Sequence, residues 1–289
     1  MPTIDLAIGS VDYRVFESDV PGSPVAVFIH GFLVNGTVWD PVAERLAADG
    51  VRCIVPDWPL GAHRQPANPD AELSPTAVAD AVLGLLDGLD LHDVVLVGSD
   101  TGGGLCQLAV RGDIRRVGGL VLTNCDAFEQ FPPPFFVPLF KLARSRIAVW
   151  VIAQQTRLRA VRNSPLGFGP LLNHPISASL TRGWIQPLLD SPAIRHDVTR
   201  FARAMQRNEL VDAANWLGRF SGPVRLVWGT RDKHFTIKLG RRLTAAFPHA
   251  DLEEVADATT FVSIDRPDAV AKAVRHVLDQ PPSLSGEVR

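Results

Sequence analysis

An aspartate sits where an apolar strand turns sharply into a helix. Val94-Val95-Leu96-Val97 reads as a buried strand, and a helix runs from about Gly102 through Leu105, Cys106, Leu108, Ala109 and Val110. A side chain on so tight a bend projects above the sheet edge, and the residues two before, two after and three after it must be small. Gly98, Gly102 and Gly103 meet that demand around Asp100. A carboxylate held there can attack carbon while the helix N-terminus favours its charge. Two neighbours compete for the role. Ser99 would put Val97 at a position that must be small, so it fits poorly. Thr101 is sterically allowed but lengthens the strand-to-turn step by one residue, and Asp100 is preferred. The plainer alternative is an aspartate that caps a buried helix, with the glycines serving close packing alone. Phosphate cradling is disfavoured, because the turn has neither G-x-G-x-x-G nor a Lys-Ser/Thr pair.

The elements that must position Asp100 follow from alternating strand-like and helix-like runs, the pattern of a mostly parallel sheet covered on both faces. Ile4–Ile8 and Tyr13–Glu17 form an expected opening hairpin around Gly9-Ser10. Val25–His30, Val51–Val55, Val94–Gly98, Gly119–Thr123 and Val224–Trp228 are continuous apolar runs, as expected of strands buried on both faces. Leu252–Val255 is the last expected strand. Helices are expected over Val38–Ala48 and Pro267–Leu278, the latter with proline in its first turn. Between residues 126 and 219 the rhythm breaks. Pro132-Pro133-Pro134 is followed by helix-like runs near Ile147–Arg157 and His196–Leu217, with no strand pattern. The organisation expected is a core of residues 1–125 and 220–279, a helical lid over 126–219, and a disordered tail over 280–289.

Composition bounds the function. The 289 residues are 46% hydrophobic, enough for one large α/β domain with an insertion, and carry a formal net charge of −2. That balance, with a pI near 6.4, leaves no electrostatic footprint for nucleic acid or an anionic membrane. The N-terminus lacks the pattern of a signal peptide, and no apolar run is long enough to span a bilayer. Cys53, Cys106 and Cys125 sit in apolar segments, as expected of reduced, packed thiols in a cytoplasmic protein. No Cys/His spacing matches a zinc site, so no metal is expected.

With the elbow, the insertion and the strand order in hand, the chain resembles the α/β-hydrolase superfamily over nearly its whole length. It is most similar to the branch that uses aspartate as nucleophile, which includes haloalkane dehalogenases and epoxide hydrolases. His30-Gly31-Phe32 resembles the oxyanion-loop signature, and Trp39-Asp40 follows at the usual interval. Pro56-Asp57-Trp58-Pro59-Leu60-Gly61-Ala62-His63-Arg64 resembles the loop after the next strand. Trp228-Gly229-Thr230-Arg231-Asp232 is similar to the segment that delivers the triad acid, which makes Asp232 that candidate. The resemblance implies an α/β-hydrolase fold, a mostly parallel eight-stranded sheet flanked by helices with an inserted helical lid. It also implies an oxyanion hole from the backbone N–H groups of Phe32 and Thr101.

The chain departs from that pattern where the catalytic histidine belongs. In Asp257-Ala258-Thr259-Thr260-Phe261-Val262-Ser263-Ile264-Asp265-Arg266-Pro267 the phenylalanine and proline are in place, but Thr260 holds the histidine position. A threonine cannot serve as the base that activates water against an enzyme ester. His234, His30, His63, His174 or His196 could substitute, although each reads more simply as a structural or solvated residue. The tryptophan and asparagine that hold halide in dehalogenases are replaced by Thr101 and Phe32. The lid tyrosines of epoxide hydrolases are absent, Tyr13 being the only tyrosine. His30, Asn124, Trp150, Thr260 and Phe261 are expected to line the pocket. The expectation is a cofactor-independent hydrolase of a small-to-medium apolar substrate (haloalkane, epoxide or ester-like), acting as a monomer or homodimer. Two alternatives stay open: a lyase, cyclase or isomerase with Asp100 as acid/base, and a catalytically silent binder.

Overall fold

The apolar runs of the sequence become the middle of one sheet in the computed structural model, which describes residues 1–18, 22–112, 114–165, 167–174 and 176–280. Its strands are β1 (Thr3–Leu6), β2 (Gly9–Phe16), β3 (Val25–Ile29), β4 (Arg52–Pro56), β5 (Val94–Asp100), β6 (Val117–Cys125), β7 (Val224–Gly229) and β8 (Ala250–Val255). They lie in the order β1-β2-β4-β3-β5-β6-β7-β8. The first two strands pair antiparallel with their neighbours and the remaining pairs are parallel. Because successive side chains on a strand face opposite ways, each central strand feeds two cores. Val27, Ile29, Leu96, Leu120, Leu122 and Leu226 enter one. Ala26, Phe28, Val95, Val97, Val121 and Val227 enter the other. That double demand explains why these strands read as uninterrupted apolar runs.

Helices α1 (Asp40–Ala48), α11 (Val262–Asp265) and α12 (Pro267–Leu278) cover the second core. Helices α2 (Pro75–Gly88) and α3 (Thr101–Ala109) cover the first. Local chemistry sets several starts. Ser74 accepts the Ala77 N–H at 3.2 Å ahead of Pro75, and α12 opens on Pro267. Helix α10 (Ile237–Thr244) joins β7 to β8.

Between β6 and β7 lie α4 (Val137–Ala143), α5 (Arg146–Thr156), α6 (Arg159–Arg162), α7 (Ala178–Asp190), α8 (Pro192–Ala204) and α9 (Glu209–Leu217). The expected run 196–217 is thus two helices broken at 205–208. Helix α7 went unread because Gly183 and Pro187 interrupt its helical composition. The opening hairpin also differs from expectation. Leu6 pairs with Gly9, so the turn is Ala7-Ile8. Gly9 serves a different purpose: at φ +117° a Cβ there would lie 2.6 Å from the Asn68 backbone nitrogen. Apart from Gln280, the expected tail lies outside the described residues. No helix among the described residues is long and apolar enough to cross a membrane.

Candidate active site

Asp100 ends β5 with φ 52° and ψ −132°, a conformation that costs a non-glycine residue about 1–3 kcal/mol and persists only where its surroundings enforce it. The enforcement is steric. A Cβ on Gly98 would lie 2.7 Å from the Cys106 sulfur, and one on Gly102 would overlap the Ile29 carbonyl oxygen. A Cβ on Gly103 would overlap the Cys125 side chain. Helix α3 therefore sits against the ends of β3 and β6 at backbone distance. The bend this leaves centres on Asp100.

Its carboxylate is partly buried, beside the oxyanion loop: a Cβ on Gly31 would overlap it. Oδ1 accepts the Thr101 N–H at 2.7 Å. Burial pushes the Asp100 carboxyl up to about 7, the Asp232 charge adds to that, and the N–H groups of Thr101 and Phe32 oppose it. The Phe32 ring stacks on Phe140 at 4.5 Å and on Phe201 at 5.8 Å, so α4 and α8 close over the same loop.

A second carboxyl group stands next to the first. Asp126 follows β6, its N–H donates to the Asp100 carbonyl at 3.2 Å, and its side chain is buried. Oδ1 of Asp126 has no hydrogen-bond partner among the described residues. Burial first, and the Asp100 charge second, push its pKa well above the usual carboxylate value, with the Thr101 side chain opposing them. Nothing in the sequence around Asp126 marks it as a site residue. Its isolation depends on packing that no local pattern reveals.

Asp232 occupies the turn after β7 and is fully bonded. Oδ1 accepts the His234 N–H at 2.7 Å and the Phe235 N–H at 3.0 Å. Oδ2 accepts Asn124 Nδ2 at 3.0 Å and the Thr260 hydroxyl at 2.7 Å. Burial raises the Asp232 pKa, and the Thr260 hydroxyl is the strongest opposing influence. Asn124 also accepts the Gly229 N–H at 2.6 Å and donates to the Gly229 carbonyl at 3.0 Å, so it braces β6 against the turn. The buried Thr260 hydroxyl thus meets Asp232 directly.

The histidines are placed elsewhere. Nδ1 of His30 lies 2.9 Å from the Gly31 carbonyl and Nε2 accepts the Trp58 N–H at 2.9 Å. Desolvation holds His30 near 3, so it is a neutral tie between two loops. His63 accepts the Gly61 N–H at 3.2 Å and meets Asp197 of α8 at 3.3 Å. The His234 ring lies against Phe135 and Phe136, with centroids 4.4 and 4.9 Å away. His174 is exposed and His196 partly so. No ring nitrogen among the described residues bonds either Asp100 or Asp232. Trp150, also expected in the lining, is 48% exposed on α5. Phe261 is in the core, its ring against Trp184 at 5.8 Å. Composition alone does not say whether an aromatic side chain faces core, ligand or solvent. No group of three or more His, Cys, Asp or Glu among the described residues is placed to hold a metal ion.

Comparison with known proteins places this geometry in context. The profile of the Alpha/beta hydrolase family matches residues 26–273. A 2-hydroxy-6-oxononadienedioate/2-hydroxy-6-oxononatrienedioate hydrolase of Cupriavidus pinatubonensis is 24% identical over 254 residues, covering 84% of this chain and 83% of its own. A cis-3-alkyl-4-alkyloxetan-2-one decarboxylase of Shewanella oneidensis is 27% identical over 291 residues, covering 92% and 85%. Among solved structures, an alpha/beta hydrolase fold protein from Burkholderia ambifaria superposes with a TM-score of 0.78 at 22% identity, covering 96% of this chain and 97% of that one. A haloalkane dehalogenase from Bradyrhizobium elkani gives 0.75 at 18% identity, covering 96% and 98%. At these identities the structural likeness speaks for the fold alone.

Proposed function

The chain belongs to the alpha/beta hydrolase family, and from that premise we propose an enzyme that acts on a small-to-medium apolar substrate through Asp100, in a reaction completed without a histidine base. The observation that carries this reading is the 2.7 Å hydrogen bond from the Thr260 hydroxyl to Asp232. The acid that would orient an imidazole is already engaged by a group that takes up no proton near neutral pH. Asp100, with its carboxyl near 7, is divided at neutral pH between proton donor and proton acceptor. That suits elimination, decarboxylation, ring closure or isomerisation. Attack by Asp100 would form a carbon–oxygen bond while the leaving atom takes its electron pair. Asp126, whose burial favours the protonated form, is the nearby acid that can supply a proton to the leaving atom. Loss of a neighbouring proton to the carboxylate that Asp126 becomes after donating, or loss of carbon dioxide, would then return the bonding electrons to Asp100. The decarboxylase relative supports the reading, because an oxetan-2-one that loses carbon dioxide consumes no water. Helices α4–α9 act as a lid in this reading, with the Phe32 stack as their contact on the oxyanion loop.

Hydrolysis of a haloalkane, epoxide or ester-like substrate is the second reading. The Phe32 and Thr101 N–H groups at the Asp100 carboxyl favour it, since they would hold the carbonyl of an enzyme ester, and so do the hydrolase relatives. Reaction in 18O-labelled water with haloalkane, epoxide, ester and β-lactone panels separates the two. Turnover without labelled oxygen in the product is expected, and labelled product would replace the first reading by the second. Intact-mass spectrometry with neither turnover nor an Asp100 adduct would overturn both.

A further inference from the structure

We propose that the half-open cavity beside the Asp232 and Thr260 loops binds the carboxylate end of an otherwise apolar small molecule. The cavity, about 500 Å³, is lined by Pro170, Asn173, Arg231, Lys233, His234 and Thr259. Its volume lies in the range of small-molecule sites. Three of its six lining residues are basic types and none is acidic. Arg231 and Lys233 flank Asp232 in sequence, yet that carboxylate is turned inward onto Thr260 and Asn124. Among the described residues neither cation has a carboxylate within salt-bridge distance.

The nearby acids are already engaged. Asp265 accepts the N–H groups of Asn173 and Thr259, each at 3.0 Å, and Asp257 bonds Arg266 at 2.9 Å. The Arg231 guanidinium is held by the Asn173 side-chain oxygen at 2.7 Å, and Asn173 is pinned in turn to the Asp257 carbonyl at 2.8 Å. Arg231 is therefore set in place before any ligand arrives, with the rest of its fork free among the described residues, which lowers the entropy cost of binding an anion. Phe135 and Phe136 pack on the His234 ring, placing aromatic surface beside the charge. Two cations are too few for a polyanion and suit one carboxylate. As the acid end of the substrate, the site deepens the proposed function and rests on it. As a binding site it does not.

The test is titration of the intact protein with hexanoate and with hexanamide, followed by calorimetry and by the NMR signals of the His234 ring, assigned through their loss in His234→Gln. Hexanoate is expected to shift the His234 signals and to bind about tenfold or more tighter than hexanamide, as hydrogen bonds to charged groups imply. The double variant Arg231→Gln/Lys233→Gln is expected to lose that preference while hexanamide binding is unchanged. Equal affinity for acid and amide, an unaffected double variant, hexanoate binding that leaves His234 unmoved, or no hexanoate binding would each overturn the proposal. Neither probe carries a leaving group or strained ring. Failure of the Asp100 chemistry would leave hexanoate binding intact, and loss of binding would leave that chemistry standing.

Discussion

The elbow that holds Asp100 and the loop pair that holds Asp232 and Thr260 are built to different standards. At the elbow, backbone and buried cysteine side chains crowd so close that three glycines are required, and Asp100 is kept in a left-handed conformation. Around Asp232, two backbone N–H groups and two side chains, Asn124 and Thr260, supply ordinary hydrogen bonds. The first arrangement fails if one methyl group is added. The second tolerates chemical replacement because its geometry rests on bonds that several groups can make. On the function proposed above, a scaffold of this kind retains its reactive carboxyl while the partner that defines the reaction changes.

The largest effect expected from breaking the elbow is chemical. Asp100→Asn keeps the shape and the Thr101 N–H acceptor but cannot carry or release a proton. Turnover is expected to fall by about 10²–10⁴-fold. The same variant has a signature in stability against pH. In the folded protein the Asp100 carboxyl is raised from 3.8 to about 7, so between those values the native state binds more protons than the unfolded state. Stability therefore falls as pH rises through that window, by up to about 1.4 kcal/mol per unit of pH. Asp100→Asn is expected to flatten the slope and to be the more stable protein above pH 7 in a pH series of thermal melts. An unchanged slope would assign it to Asp126 and Asp232, whose pKa values are also raised.

A purely steric contrast comes next. Helix propensity alone favours alanine over glycine by about 1 kcal/mol. Gly183 in α7 has nothing within 4 Å of a built Cβ, so Gly183→Ala is expected to stabilise by about 0.4–1 kcal/mol. Gly102→Ala meets the Ile29 and His30 carbonyl oxygens and is expected to destabilise by about 3 kcal/mol. Urea unfolding of the pair measures both signs. A stable Gly102→Ala protein would mean that the bend is looser than its glycines imply.

The acid end gives a smaller effect. Thr260→Val keeps the volume and removes the hydroxyl, leaving Asp232 three donors in place of four. The expected cost is about 1–3 kcal/mol, with the Asp232 pKa rising further because its strongest opposing influence is lost. Thr260→His sharpens the comparison in the other direction. Labelled water in the product of that variant and not of the parent would show that the missing imidazole alone decides between the two outcomes.

The elbow was legible from residues 94–103 because its demand is local: a strand, small residues at fixed offsets, then a helix. The buried strands were legible for a related reason, since the two cores they feed forbid polar residues in the run. Long-range arrangements were not. That Oδ1 of Asp126 has no hydrogen-bond partner among the described residues depends on how β6 meets the elbow, and that His30 is locked depends on Trp58, which is 28 positions away. Within 126–219 the helices were legible as a class, but their number and facing were not, because prolines and glycines interrupt the period and aromatic residues serve several environments alike.

That last ambiguity can be tested with the smallest expected effect. Trp150, read from sequence as pocket lining, is 48% exposed on α5, in a helix that also exposes Ile147 at 76%. Substituting Trp150→Ala removes a side chain that is already half in water, so a stability loss of about 1 kcal/mol or less is expected. Ligand affinity and turnover should be unchanged. A several-fold rise in KM at constant stability would place Trp150 against the ligand after all. Helix α5 would then have to turn its outer face inward during binding, and the segment between β6 and β7 would be a moving part of the site, in contrast to the fixed elbow beneath it.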